Sequence, residues 1–451
     1  MTRRAVRALV AAAALAALVA GGAAAQLLQP DAGYRDAQLQ LRSAARDTLG
    51  HGDEVARLDT LGVALLRLGR LEDAGAIFRR ALDRMPGDAA ASAGLGKLAL
   101  FEGRLAEAES LLARAVAADR DREWVADLYA ARAQRGAWVA AAPLAEELGD
   151  PGRAEMLRML DATTPLRLTA GPDETRIPWR RAYPVPIVRV RLNGRLVLMA
   201  IDTGVRDLLL DPSAVRGSDV QSFPSRSLVS WLGTRVSAGN AIVQRLELGP
   251  MRLEDVPAAV VSLRKWSIEV NPRGEHVAGV IGLAVLRAFT PTLDYAGHAL
   301  VLRRPAGPYA GAADARRVPF AIWGESDLTV WGHVGGSRRM ALTVHSGVPG
   351  CGLAAPAEVF LELGLKPGRV SRLMKGAGAW LGGRSWTGVS VPAVSVGPVT
   401  SGKLDAWAGA LDPAELWRHG VRRDALLSND FFRGWRVTFD WDARQLVFEP
   451  R

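Results

Sequence analysis

Cysteine is almost absent. Cys351 is the only one in 451 residues, so no internal disulfide can form and the chain must rely on its apolar cores. Lysine is nearly as scarce, confined to Lys97, Lys265, Lys366, Lys375 and Lys403, so arginine carries the net charge of +10. The arginines are scattered among acids and form no long run, which argues against a nucleic-acid partner. The six histidines show no H-E-x-x-H or comparable ligand spacing, so no metal is expected. No phosphate-cradling glycine loop with Lys-Ser/Thr and no dinucleotide-binding glycine pattern occurs, so no cofactor is expected either.

What is present begins at the N-terminus. Arg3, Arg4 and Arg7 precede an apolar stretch from Ala8 to Ala20, and Ala23-Ala24-Ala25 offers an A-x-A cleavage site before Gln26. That is the layout of a secretory signal peptide over residues 1–25, and it implies export to the periplasm or beyond. No other segment is long and apolar enough to cross a bilayer, so membrane contact is expected only if this segment is retained. At about 100–200 residues per domain, the remaining length calls for two to four domains.

After a lead segment (26–50), residues 51–160 carry a repeat. Gly62, Gly69, Leu71, Ala74, Phe78 and Ala81 recur 34 residues later as Gly96, Gly103, Leu105, Ala108, Leu112 and Ala115. A weaker third copy starts near Arg122. The pattern in "LGVALLRLGRLEDAGAIFRRALDRMPGD" resembles the tetratricopeptide repeat, in which small residues let paired helices pack closely. The resemblance implies an all-α stack and a protein partner on its surface. From Pro165 the prolines and charges of "LRLTAGPDETRIPWRRAYPVP" break the helical period, and 161–179 reads as a linker.

The rest alternates short β-branched runs with Gly, Pro and Asn. Asn193-Gly194 is a type I′ hairpin signal, and helices are expected only near 283–289, 356–363, 412–418 and 429–433. This mostly-β half is duplicated. Asp202-Thr203-Gly204 aligns with His345-Ser346-Gly347 at an offset of 143, Gly249-Pro250 with Gly397-Pro398 at 148, and Asp294 with Asp440 at 146. Three anchors in one order predict two homologous lobes, 180–306 and 307–451.

A strand ending in Asp-Thr-Gly, followed by "VRDLLLDPS" and later by "VIGLAVLRAFTPTLDY", resembles the retropepsin-like and pepsin-like aspartic peptidases. The resemblance implies a two-lobed acid-protease fold, a peptide or protein substrate, and a role for each matching residue. Asp202 becomes a catalytic aspartate, Thr203 and Ser346 the hydroxyls bracing the two loops, Gly204 and Gly347 the tight backbone after them. Val280-Ile281-Gly282 becomes the supporting strand. The glycine-rich segments 230–240 and 374–383 fall where the family carries a hairpin flap.

The second lobe departs from the pattern. His345 stands where the second aspartate belongs, and Ser428 where Gly282 stands in the first lobe. The family needs two acids because carboxylates roughly 3 Å apart share one proton and divide base and acid roles. A histidine ordinarily titrates near 6.5, so it can fill the acid role in another way. Three readings follow: an exported endopeptidase working with an Asp202–His345 pair, an inactive pseudo-peptidase whose stack and cleft bind peptides, or pairing of Asp202 between two chains. The eight tryptophans after residue 315 suit either cores or a groove lining, cores being the commoner use.

Overall fold

The structure, a computed structural model, describes residues 32–51, 54–161, 165–231, 234–272, 274–366, 386–409, 411 and 413–450. The expected signal segment and the 374–383 loop lie outside the described residues. Among those described, the first eight helices are α1 (Ala32–His51), α2 (Val55–Arg67), α3 (Leu71–Arg84), α4 (Ala89–Phe101), α5 (Leu105–Ala118), α6 (Arg122–Gln134), α7 (Trp138–Glu147) and α8 (Pro151–Asp161). Much of the lead segment is therefore helix α1.

The 34-residue period is a packing contact repeated. Phe78 of α3 lies where a Cβ on Gly62 or Gly94 would come within 2.5 or 2.3 Å of its ring, and Leu112 of α5 does the same to Gly96 at 2.7 Å. Only glycine lets the helices approach so closely. Asp88, Asp121 and Asp150 cap α4, α6 and α8, each accepting a hydrogen bond from a backbone N–H of the first turn.

The β region forms two lobes of matching topology. Lobe one orders β8 (Met251–Val260), β5 (Leu208–Leu210), β9 (Val277–Ile281), β4 (Arg195–Ile201) and β3 (Ile187–Leu192) side by side. Lobe two orders β19 (Leu404–Ala408), β15 (Leu353–Ala355), β20 (Ala425–Leu427), β14 (Met340–Val344) and β13 (Asp327–Val334) in the same way. The β4–β9 and β14–β20 pairs are both parallel. Between the lobes, exit strands β10 (Thr290–Asp294) and β21 (Trp435–Asp440) pair antiparallel, and Thr292 and Thr438, which are equivalent positions, bring their hydroxyls to 2.6 Å. The lobes are thus related by an approximate two-fold axis through that contact.

The segment 161–179 is not a linker throughout. Arg167–Ala170 (β1) pairs with β8, and Glu174–Pro178 (β2) pairs with β11 (Ala299–Arg303). Both are edge strands with mostly exposed side chains, so their sequence shows little apolar alternation and the ladder comes from the partner. At Asn193-Gly194 both residues take positive φ, 47° and 86°, as a type I′ turn requires. Short helices form at 283–287, 357–362 and 429–432, with a 3₁₀ turn at 413–417. Two more, 212–216 and 264–270, carried no legible signal.

The stack docks on the β region through its alternate helices. Arg67 O of α2 accepts from Arg422 N (3.0 Å), Lys97 Nζ of α4 donates to His419 O (2.9 Å), and Gln134 Nε2 of α6 donates to Gly324 O (2.6 Å). Phe101 of α4 stacks on Trp323 with ring centroids 5.0 Å apart. Leu58, Leu65, Phe78, Leu98 and Phe101 share one apolar cluster with Trp323 and Val421 of lobe two. The inner face of the stack is therefore largely occupied by the chain's own β lobe.

His419 is partly buried at this interface, and its desolvation lowers its pKa despite the hydrogen bond to Asp327 (2.7 Å), with Arg418 and Arg423 adding to the lowering. The folded chain then binds fewer protons at this ring than the unfolded chain does. The contribution to stability is present above the unfolded value, about 6.5, and is lost as pH falls below it. We expect the urea midpoint to drop between pH 7 and pH 5, and His419→Gln to shrink that drop. An identical drop in the variant would contradict the assignment.

Candidate active site

Asp202 follows β4 and His345 follows β14, each at the end of its lobe's parallel strand pair. Asp202 N donates to Ile281 O (3.0 Å) and His345 N to Leu427 O (2.9 Å), so the two loops are anchored to β9 and β20 by the same bond. They then cross-brace. Thr203 Oγ1 donates to Val344 O (3.0 Å) and accepts from Ser346 N (3.1 Å). Reciprocally, Ser346 Oγ donates to Ile201 O and accepts from Thr203 N, both at 3.1 Å. Each hydroxyl thus satisfies a buried carbonyl and a buried N–H of the other lobe.

Thr203→Val keeps the shape but leaves Val344 O and Ser346 N unpaired in a dry site. We expect a loss of about 2–4 kcal/mol in chemical denaturation. A change below about 0.5 kcal/mol would mean that the brace does not hold the lobes together.

The brace sets the pair in contact: His345 Nδ1 lies 2.8 Å from Asp202 Oδ1. Gly204 N (2.9 Å) and Gly347 N (3.0 Å) also donate to that oxygen. A Cβ on Gly204 would stand 2.0 Å from the His345 ring, and one on Gly347 1.9 Å from Asp202 Oδ2. Glycine at both positions is therefore a condition for the pair to meet. The approach of the two side chains falls outside hydrogen-bond geometry. Asp202 Oδ2 and His345 Nδ1 are buried and have no hydrogen-bond partner among the described residues. Asp202 is 1% exposed and His345 5%.

The supporting strands differ as the sequence suggested. A Cβ on Gly282 would meet Asp207 O at 2.1 Å and Val205 O at 2.7 Å, so the first loop lies directly on the backbone of β9's end. In lobe two the equivalent Ser428 uses its hydroxyl, with Oγ 2.8 Å from both His345 O and Val348 O. Its neighbour Asn429 donates to Ser346 O (2.8 Å) and accepts from the Tyr295 hydroxyl (2.9 Å). Side chains in lobe two thus supply what backbone contact supplies in lobe one. Tyr295 ends the quoted segment "VIGLAVLRAFTPTLDY", but nothing in the sequence marked its contact with Asn429.

Asp202, His345, Thr203, Gly204, Ser346, Gly347 and Gly282 all come together here, and lobe two fills the place that a second copy of Asp202 would need. Cys351 is buried, and burial pushes its thiol well above the ordinary range. The described part of the 230–240 segment belongs to the antiparallel hairpin of β6 (Gln221–Trp231) and β7 (Thr234–Leu248). Trp231, Trp266, Trp386 and Trp407 join Val205 and Val348 in an apolar cluster spanning both lobes, so these tryptophans serve the core. A cavity of about 60 Å³ beside Gly204 and Val205 is bounded by Arg206, Glu325, Arg418 and His419. Among the described residues, no group of three or more His, Cys, Asp or Glu is placed to hold a metal ion.

Residues 65–135 match the family described as tetratricopeptide repeat, and residues 188–285 match the one described as aspartyl protease. Similar solved structures include a retropepsin-like aspartic protease from Rickettsia conorii, 14% identical over 31% of this chain and 95% of that one, with a TM-score of 0.21. The aspartic proteinase from Irpex lacteus is 10% identical over 61% and 97%, TM-score 0.39. Basic 7S globulin from soybean is 12% identical over 63% and 95%, TM-score 0.36.

Proposed function

We propose that this chain, a tetratricopeptide-repeat segment followed by an aspartyl-protease-like β domain, is an exported hydrolase of peptide bonds that uses an Asp202–His345 pair. One observation carries the reading. Inside a site where the loops are fully braced, the two polar atoms left without a hydrogen bond are Asp202 Oδ2 and His345 Nδ1. Buried polar atoms are ordinarily paired, and exceptions concentrate where chemistry is done.

In the proposed step the Asp202 carboxylate takes a proton from water as the water oxygen attacks the carbonyl carbon. Protonated His345 gives its proton to the carbonyl oxygen, producing a neutral tetrahedral diol. On collapse the proton on Asp202 passes to the amide nitrogen, the C–N bond breaks, and a diol hydroxyl returns a proton to His345. The pair begins and ends holding one proton, as a two-carboxylate site does. The Gly204 and Gly347 amides both donate to Oδ1 and so hold the Asp202 carboxyl group in place.

The competing reading, a peptide-binding module without hydrolysis, draws on the 1% exposure of Asp202. Cleavage of a diverse peptide library by residues 26–451 from pH 3 to 8 separates the two. The hydrolase reading expects cleavage that falls at least about 10³-fold in Asp202→Ala. Peptide binding with no cleavage at any pH would establish the other.

A further inference from the structure

We infer that Gly152 and Arg153, at the start of α8, are positioning residues that make the helical stack part of the active site. The inference rests on the hydrolytic reading only for its kinetic consequence. Its structural basis is separate.

Asp207 lies five residues beyond Asp202 on the same loop. Its Oδ2 accepts from Arg206 Nε (2.8 Å) and from Arg153 Nη1 (3.3 Å). Arg153 also donates through Nη2 to Glu325 Oε1 (3.0 Å) in the turn between β12 (Arg316–Trp323) and β13, and through Nε to the Tyr129 hydroxyl of α6 (3.1 Å). Arg206 pairs with Glu325 as well. One guanidinium therefore joins the stack, the active-site loop of lobe one and a turn of lobe two. Arg153 is 6% exposed and Asp207 7%, so solvent hardly screens the link.

The loop cannot shift away from this clamp without moving the dyad. Leu283 N donates to Val205 O (2.7 Å) and Ala284 N to Arg206 O (2.8 Å), and the backbone of Val205 and Asp207 rests on Gly282. The adjacent residue holds the β6–β7 hairpin. A Cβ on Gly152 would stand 2.2 Å from Arg226 O in the β6–β7 hairpin, and Gly152 O accepts from Asn240 Nδ2 of the same hairpin (3.1 Å). Two consecutive residues of one helix thus hold the loop bearing Asp202 and the β6–β7 hairpin. Small displacements of a catalytic group are costly, of the order of 10²-fold for 1 Å.

The test reads both amide exchange and kinetics in the full chain, with Arg153→Met, Gly152→Ala and, as control, Arg158→Met, which lies on the same helix α8 and removes only an exposed pair with Glu146 of α7. Arg153→Met should speed hydrogen exchange at least about tenfold in 202–210, and Gly152→Ala should do so in 221–248. Both should spare the distant strands β16 (Thr387–Val391) and β19, and Arg158→Met should change neither segment. If the chain hydrolyses peptides, Arg153→Met should lower kcat about 10²-fold with KM within about threefold, because it displaces the base rather than the binding surface. Should Arg153→Met fail to fold, Arg153→Lys, which keeps charge but loses the fork, is read in its place. Exchange in 202–210 unchanged, or raised equally throughout the molecule, would overturn the inference whether or not the chain is a hydrolase. Loss of peptide cleavage in the parent would bear on the catalytic proposal alone.

Discussion

Replacing His345 by aspartate is expected to move peptide hydrolysis to acid pH. The pair would then be two carboxylates about 3 Å apart, which cannot both ionise and so share one proton. That one-proton form survives only while the pH lies below the upper titration step of the pair, which in carboxylate pairs belongs to the acid range. A carboxylate–imidazole pair keeps its single proton into the neutral range, because histidine ordinarily titrates near 6.5. The optimum of kcat/KM should therefore fall by about two pH units in His345→Asp. Asp202 keeps both of its amide donors in the variant, since Gly204 and Gly347 are untouched. An unchanged optimum in an active variant would show that the proton on His345 takes no part in the reaction.

Trp323→Ala should cost about 3–5 kcal/mol and loosen the stack from lobe two together. The ring is 0% exposed, stacks on Phe101 and packs at 6.1 Å against Trp331 in the cluster shared with the stack. Its removal opens a large cavity between two bodies held also by polar contacts from Arg422, Lys97 and Gln134. Because the cluster is continuous, chemical denaturation should show one transition in the parent. In the variant the transition should fall, and proteolysis between α8 and β1 should begin at lower denaturant. A cost under about 1 kcal/mol would mean that the stack and the lobe are merely adjacent.

The sequence made the repeat and the duplication legible because each is a packing requirement copied at a fixed interval. Gly62 with Phe78 and Gly96 with Leu112 are one contact written twice. Asp202 and His345, Thr203 and Ser346, Gly204 and Gly347 were readable for the same reason, as two copies of one loop. The contacts between these units were not. Trp323 and Phe101 carry no period, and Arg153 resembles any other arginine in an arginine-rich chain. Strands β1 and β2 escaped notice because edge strands with exposed side chains take their order from the neighbour's backbone. Ser428 stood out only as a missing glycine. That its hydroxyl replaces backbone contact by reaching two carbonyls depends on how close the second loop lies, which no local pattern encodes.

The measurement that bears most directly on the Asp202–His345 pair is the pH profile of kcat/KM for one cleaved peptide, in the parent and in His345→Ala. A working pair gives a bell in the parent, because the step needs one unprotonated base and one protonated acid at once. In His345→Ala the rate should drop at least about 10²-fold and the alkaline limb should disappear. A parent that cleaves nothing between pH 3 and 8, or a profile identical in the two proteins, would contradict it.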